Sequence, residues 1–337
     1  MITEPKGTVI VAIGFDERTQ DLAFNAQAMS LQFGIAIHFV HAIEPPVYDV
    51  MAIETPAVVA LPLVVQEEMA RITREREEKM NALIRQSIQA GCSATGLVVE
   101  GDPVRTVINE ATRLRANLIL TANNLKTDGF FPIGLSTSIA LMHEAPLPVM
   151  VLGKTNLSFT QKPFKILIAD DLTEGSTESA QKAFEFASLV SGAKIRQVHI
   201  HGDLRETLRD TWRDMRSKLP FLDAQEVNPD TYWVNEHEAR LGHLQRRGLP
   251  WRRRAEASGV QVENDIRMGA VDKELTQSIH DFRPDLVFFG RHRLLKARPF
   301  LVGRVPGRVM LREQNTVVLV PPTKELFARI PFPAAGK

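Results

Sequence analysis

Cysteine is nearly missing from this chain: Cys92 is the single one in 337 residues. One thiol cannot close an intrachain disulfide, so packing must hold the fold, and this usage fits a reducing compartment. Neither sign of charge is in surplus. Lys and Arg number 41 against 40 Asp and Glu, a formal net charge of +1. No global field draws in nucleic acid or an anionic membrane, so any basic site is local. Long apolar runs are lacking too. PAVVALPLVV (residues 56–65) is too short to span a bilayer and is broken by Pro62. The N-terminal stretch MITEPKGTVIVAIGFDE shows no apolar run leading to a small-residue cleavage site. A soluble, cytoplasmic protein is expected. There is no G-x-S-x-G elbow, no Walker loop ending in Lys-Ser/Thr and no HExxH. Catalysis is therefore not indicated, and no catalytic residue is assigned.

What the sequence does hold is one pattern written twice. A chain of this length exceeds what one core usually supports, so two domains are expected. TVIVAIGFDE (8–17) resembles KILIADDLTE (165–174), and GIAIHFVH (34–41) matches GAKIRQVH (192–199). GDPVRTVINEATRLRANLILTA (101–122) matches GAVDKELTQSIHDFRPDLVFFG (269–290). From there the register is constant: Leu118 with Leu286, Ala122 with Gly290, Leu135 with Gly303, Val149 with Val317. The second copy carries about ten more residues between its matched blocks. Each copy alternates short β-branched apolar runs with helical periodicity, which means a parallel sheet covered on both faces. In the first copy, strands are expected at 8–13, 35–41, 96–101, 117–122 and 148–152, and helices at about 17–33, 66–90, 104–115 and 135–144, with a loop from 44 to about 66. Asp102-Pro103 is a good helix start. The expected domains are 1–153 and 164–322, with a polar linker at 154–163 and a tail at 323–337. Sites in such sheets lie at the C-terminal ends of the strands.

These blocks, in this order, resemble the universal stress protein family over nearly the whole chain, as a tandem two-domain member. The carrying segments are GDPVRTVINEATRLRANLILTA and HEAPLPVMVL in copy one, and KILIADD, RPDLVFFGRHR, LVGRV and NTVVLV in copy two. The resemblance implies an α/β fold of two Rossmann-like domains, each a five-stranded parallel sheet flanked by helices, paired through their last strands. ATP-binding members carry Gly-x2-Gly-x9-Gly-Ser/Thr after the fourth strand and an Asp at the end of the first. Such glycines let backbone N–H groups approach phosphates. In copy one the three glycine positions fall on Ala122, Leu125 and Leu135, with only Ser136 retained, and the Asp position falls on Gly14 beside Asp16. That copy is expected to be structural. In copy two, Asp171, Gly290 and Gly303 keep their types, while Arg293 replaces the middle glycine and Arg304, followed by Val305, replaces the Ser/Thr. Two readings follow. Either the arginines plug the pocket or stay solvated, or their guanidinium groups grip phosphate in place of the lost donors.

Three further features have plain readings beside sharper ones. RLGHLQRRGLPWRRR (240–254) is basic, but its acidic flanks favour a salt-bridged helical insertion over a nucleic-acid site. His199 and His201 share one side of a strand, yet no neighbouring set completes a metal site; His38 and His41 lie on opposite faces. EPPVYDVMAIETPAVVALPLVV (44–65) is either a partner patch or a cover for its own fold. The expectation is a non-enzymatic stress-response or regulatory protein without cofactor or metal, its two domains paired as a pseudo-dimer. A homodimer or another protein partner remains open; membrane and nucleic acid are not expected. The alternative is a switch in which the second domain holds ATP or another adenine nucleotide.

Overall fold

The computed structural model describes residues 5–44, 56–122, 136–160, 163–202, 218, 229–291, 304–309 and 314–322. The chain divides into two compact units, with the boundary between Phe159 and Thr160. In the first, β1 (Thr8–Ala12), α1 (Thr19–Phe33), β2 (Ala36–Ile43), α2 (Pro56–Gln89), β3 (Ala94–Glu100), α3 (Pro103–Arg113), β4 (Leu118–Ala122), α4 (Thr137–Glu144) and β5 (Val149–Leu152) follow in order. The strand order is β3-β2-β1-β4-β5, and the pairs from β3 to β5 run parallel. Central strands are apolar on both faces because helices cover both: Val9, Ile10 and Val11 are wholly buried. α2 begins at Pro56 instead of near 66, so part of the expected apolar loop is helix. Proline at the first helical position loses no hydrogen bond there and sets a helical φ, which lets the helix start that early. At α3 the Asp102 carboxylate accepts from Arg105 N at 2.7 Å and Pro103 follows it, as the sequence predicts.

The second unit repeats the plan. β6 (Lys165–Ala169), α5 (Glu174–Ala187) and β7 (Lys194–His201) are followed by two helices in the place of α2, α6 (Pro229–Arg246) and α7 (Leu249–Ala257), so the expected helical insertion is the counterpart of α2. β8 (Gln261–Met268), α8 (Val271–Phe282), β9 (Leu286–Gly290), the single turn α9 (Arg304–Arg308) and β10 (Thr316–Val320) complete it. Its strand order is β8-β7-β6-β9-β10, again parallel throughout.

The repeat extends to backbone detail. Phe15 and Leu172, matched in sequence, both take positive φ, 53° and 64°, in the turn after the first strand. Bulky residues avoid that region, so the turn is imposed by what surrounds it. Arg115 and Arg283 are likewise matched and likewise left-handed, at 49° and 53°. Asn117 accepts from Thr8 N at 2.9 Å, and Asp285 accepts from Lys165 N at 2.7 Å. The same two strand starts are therefore tied by the same kind of bond.

Candidate functional site

Both copies end their first strand in the same way. Ile13 N donates to Val40 O at 3.0 Å, and Asp170 N to Val198 O at 2.9 Å. The histidine that follows then closes back: Nδ1 of His41 lies 2.8 Å from Ile13 O, and Nδ1 of His199 lies 2.8 Å from Asp170 O. A carbonyl can only accept, so Nδ1 carries the proton and Nε2 of each ring keeps a lone pair. Both histidines are held below their ordinary pKa of 6.5, mainly because burial disfavours the imidazolium. Sequence reasoning missed this role. Its signal is the Val-His pair that ends both GIAIHFVH and GAKIRQVH.

In the first unit the space beyond these strand ends is a cleft of about 320 Å³. Ile13, Gly14 and Asp16 from the β1 turn, His41 from β2, Thr121 and Ala122 from β4 and Ser136 to Ser138 at the start of α4 line it. Ala122 is buried at the end of β4. Ser136 is the N-cap of α4: its Oγ accepts from Ile139 N at 3.4 Å and lies 3.0 Å from Ser138 Oγ. Capping is thus sufficient reason for a hydroxyl at 136. Asp16 accepts from Arg18 N at 2.9 Å. Leu125 and Leu135 lie outside the described residues.

In the second unit the matching strand ends meet side chains. Asp170, not Asp171, points inward; its carboxylate is fully buried. It accepts from Leu172 N at 2.8 Å, Ser176 Oγ at 2.7 Å and Gln197 Nε2 at 2.8 Å. Its counter-ion is Arg247, whose Nε stands 3.3 Å from Oδ2. The same guanidinium donates to Leu172 O at 3.0 Å, Thr173 O, Ser176 Oγ at 3.0 Å and Thr177 Oγ1 at 2.5 Å. Arg247 follows α6 directly, so this basic segment delivers it to the turn between β6 and α5. Arg240, seven residues earlier, donates to His199 Nε2 at 3.1 Å and pairs with Glu236 at 2.7 Å. Asp171 faces solvent and spends Oδ1 on its own turn, accepting from Thr173 N at 3.0 Å and Thr173 Oγ1 at 2.6 Å.

Gly290 ends β9 against the first turn of α5. An added Cβ would run into the Gly175 carbonyl and stand 2.7 Å from Ser176 N, so helix packing already requires a glycine here. Val305 is half-buried in α9, and Arg304 starts that turn. Arg293 and Gly303 lie outside the described residues. Among the described residues, no group of three or more His, Cys, Asp or Glu side chains is set to hold a metal. Nor is any helix there long and apolar enough to cross a membrane.

Known proteins agree with this architecture. No curated protein matches the chain. A universal stress protein from Archaeoglobus fulgidus DSM 4304 is 14% identical, covering 96% of this chain and 98% of its own, with a TM-score of 0.63. A putative universal stress protein from Pseudomonas aeruginosa UCBPP-PA14 is 17% identical, covering 98% and 97%, with a TM-score of 0.52. The universal stress protein from Archaeoglobus fulgidus in complex with dAMP matches 45% of this chain and 98% of its own at 15% identity, with a TM-score of 0.29. The model of the universal stress protein family matches twice, over residues 7–153 and 164–321. With both copies accounted for, the chain belongs to the universal stress protein family, as a tandem of two of its domains.

Proposed function

We propose that this chain is a non-enzymatic regulatory protein in which the two domains pair through β5 and β10 as an intramolecular pseudo-dimer. One observation carries the pairing. Each unit's last strand, β5 or β10, ends its own strand order, so each presents an edge that a like strand can pair with. An end strand left bare would offer unpaired N–H and C=O groups to solvent or to another chain. The test is residue-resolved amide exchange over 149–152 and 316–320. Paired strands protect every amide. Fast exchange at alternate residues, the signature of an open edge, would reject the pairing.

The nucleotide alternative is better served by the first domain than by the second. In the second, Arg247 already occupies the strand ends near Asp171, and helix packing accounts for Gly290. The first retains a cleft with hydroxyl and imidazole groups but has lost the glycines of a phosphate loop. A nucleoside-like ligand without a tightly held phosphate chain suits those walls. Calorimetry and native mass spectrometry with adenosine, AMP, ADP and ATP test this. Binding that is abolished by Ala122→Phe locates the ligand in the first domain. Loss with Gly303→Leu would return it to the second domain, through Arg293 and Arg304. No binding to any of the four leaves the purely structural reading.

A further inference from the structure

Arg240 and Arg247 reach the strand ends of the second unit from one basic segment, and Arg240 does so through a bond that a single proton can undo. We propose that α6 is a proton-operated latch: protonation of His199 turns its bond with Arg240 into a repulsion and releases the helix from the ends of β6 and β7.

The hydrogen-bond inventory forces the sign. His199 Nδ1 donates to Asp170 O, so Nε2 is the acceptor for Arg240. A guanidinium has no lone pair and keeps its charge. When Nε2 gains a proton, two donors and two positive charges face each other at 3.1 Å. One of them must move. His199 is fixed in β7 and bonded at the end of β6, whereas Arg240 is a long, partly exposed side chain on α6.

The surroundings decide how strongly this acts. On β7, His201 stacks on His199 with ring centroids 6.2 Å apart. On α6, His237 stands 6.5 Å from His201, and His243 lies 3.4 Å from Arg247. These are the three other imidazoles around the contact. Opposing them are Asp170 and Asp171 at the end of β6, and Glu236, which pairs with Arg240. On β8 the residue paired with His199 is the uncharged Ile266. Burial and Arg240 hold His199 neutral, while Asp170 O and the two aspartates pull the other way. A histidine whose folded pKa is depressed loses stabilisation as pH falls. The latch is therefore closed above the ordinary value of 6.5 and weakens progressively below it. Arg247 is the second hold. Its bonds to Asp170, Leu172 O and Thr173 O do not run through His199, so release of Arg240 does not require the unit to unfold.

Amide exchange by mass spectrometry on the full chain, corrected for intrinsic rates, tests the latch at pH 7.5 and 5.5. Protection in peptides covering 234–246 should fall about tenfold or more, while that of β7 and of α1 holds. Arg240→Gln should remove the difference, because no cation then faces His199. Glu236→Gln, which strips Arg240 of its neutralising partner, should move the opening to higher pH. Equal protection at both pH values would overturn the proposal. So would a loss of the same size in Arg240→Gln, or a loss shared by β7 and α1, which would mean general acid unfolding.

Discussion

Arg247→Met offers the most direct test of how the second unit is held. The substitution keeps much of the side chain's length and apolar stem while deleting its charge and its donated bonds. What remains is an Asp170 carboxylate with no exposed surface, still bonded to Leu172 N, Ser176 Oγ and Gln197 Nε2. Removing one member of a buried ion pair typically costs about 3–5 kcal/mol. Two details favour the lower end. Three neutral donors still serve the carboxylate, and the Arg247 Nε contact is long at 3.3 Å. The carbonyls of Leu172 and Thr173 lie near solvent and regain water. A loss of about 3 kcal/mol corresponds to a drop in melting temperature of about 6–12 °C for a unit of this size. Differential scanning calorimetry that resolves the two units is the assay, with urea titration as a check. Asp170→Asn in the Arg247→Met background removes the stranded charge, so the double variant should recover much of the loss. A single-variant change under about 0.5 kcal/mol, within the range of ordinary surface substitutions, would show that Arg247 is decoration and not the counter-ion of Asp170.

Two smaller substitutions probe the frame around the site. Gly290→Ala inserts a methyl group into the backbone of α5 and should cost about 1–3 kcal/mol by overpacking, read as a lowered urea midpoint; an unchanged midpoint would mean that α5 is not seated on β9. Asp102→Ala removes the cap of α3 and should cost about 1 kcal/mol in the first unit, seen as a shift in its calorimetric transition alone; a shift in the other transition would contradict the assignment.

The sequence pattern carried the strands, the repeat and the cap of α3, because each is a local regularity of apolar and turn residues. Asp102-Pro103 announced α3, and TVIVA and KILIA announced buried parallel strands. The contents of the site were less legible. Asp170 and Asp171 are neighbours of one type, and only the fold decides that the first turns inward and the second outward. Arg247 stands in a run of cations that reads as a solvated face, and its partner lies 77 positions earlier. No local rule spans that distance. The motif assigns Gly290 to a phosphate loop, and contact with α5 gives a second reason for a glycine there. α2 started early because a proline that breaks a helix interior can equally open a helix.

The paired histidines have a consequence for how such a chain can change. Each ring ties itself to a main-chain oxygen, and a main-chain oxygen is indifferent to the side chain it belongs to: isoleucine at 13, aspartate at 170. Residue identity at that strand end is thereby uncoupled from the geometry of the sheet. One copy can acquire a buried charge and an arginine to match while its sister keeps a hollow, and neither alteration asks the framework to be rebuilt. A duplicated domain with this fastening is two separately editable sockets on a fixed board.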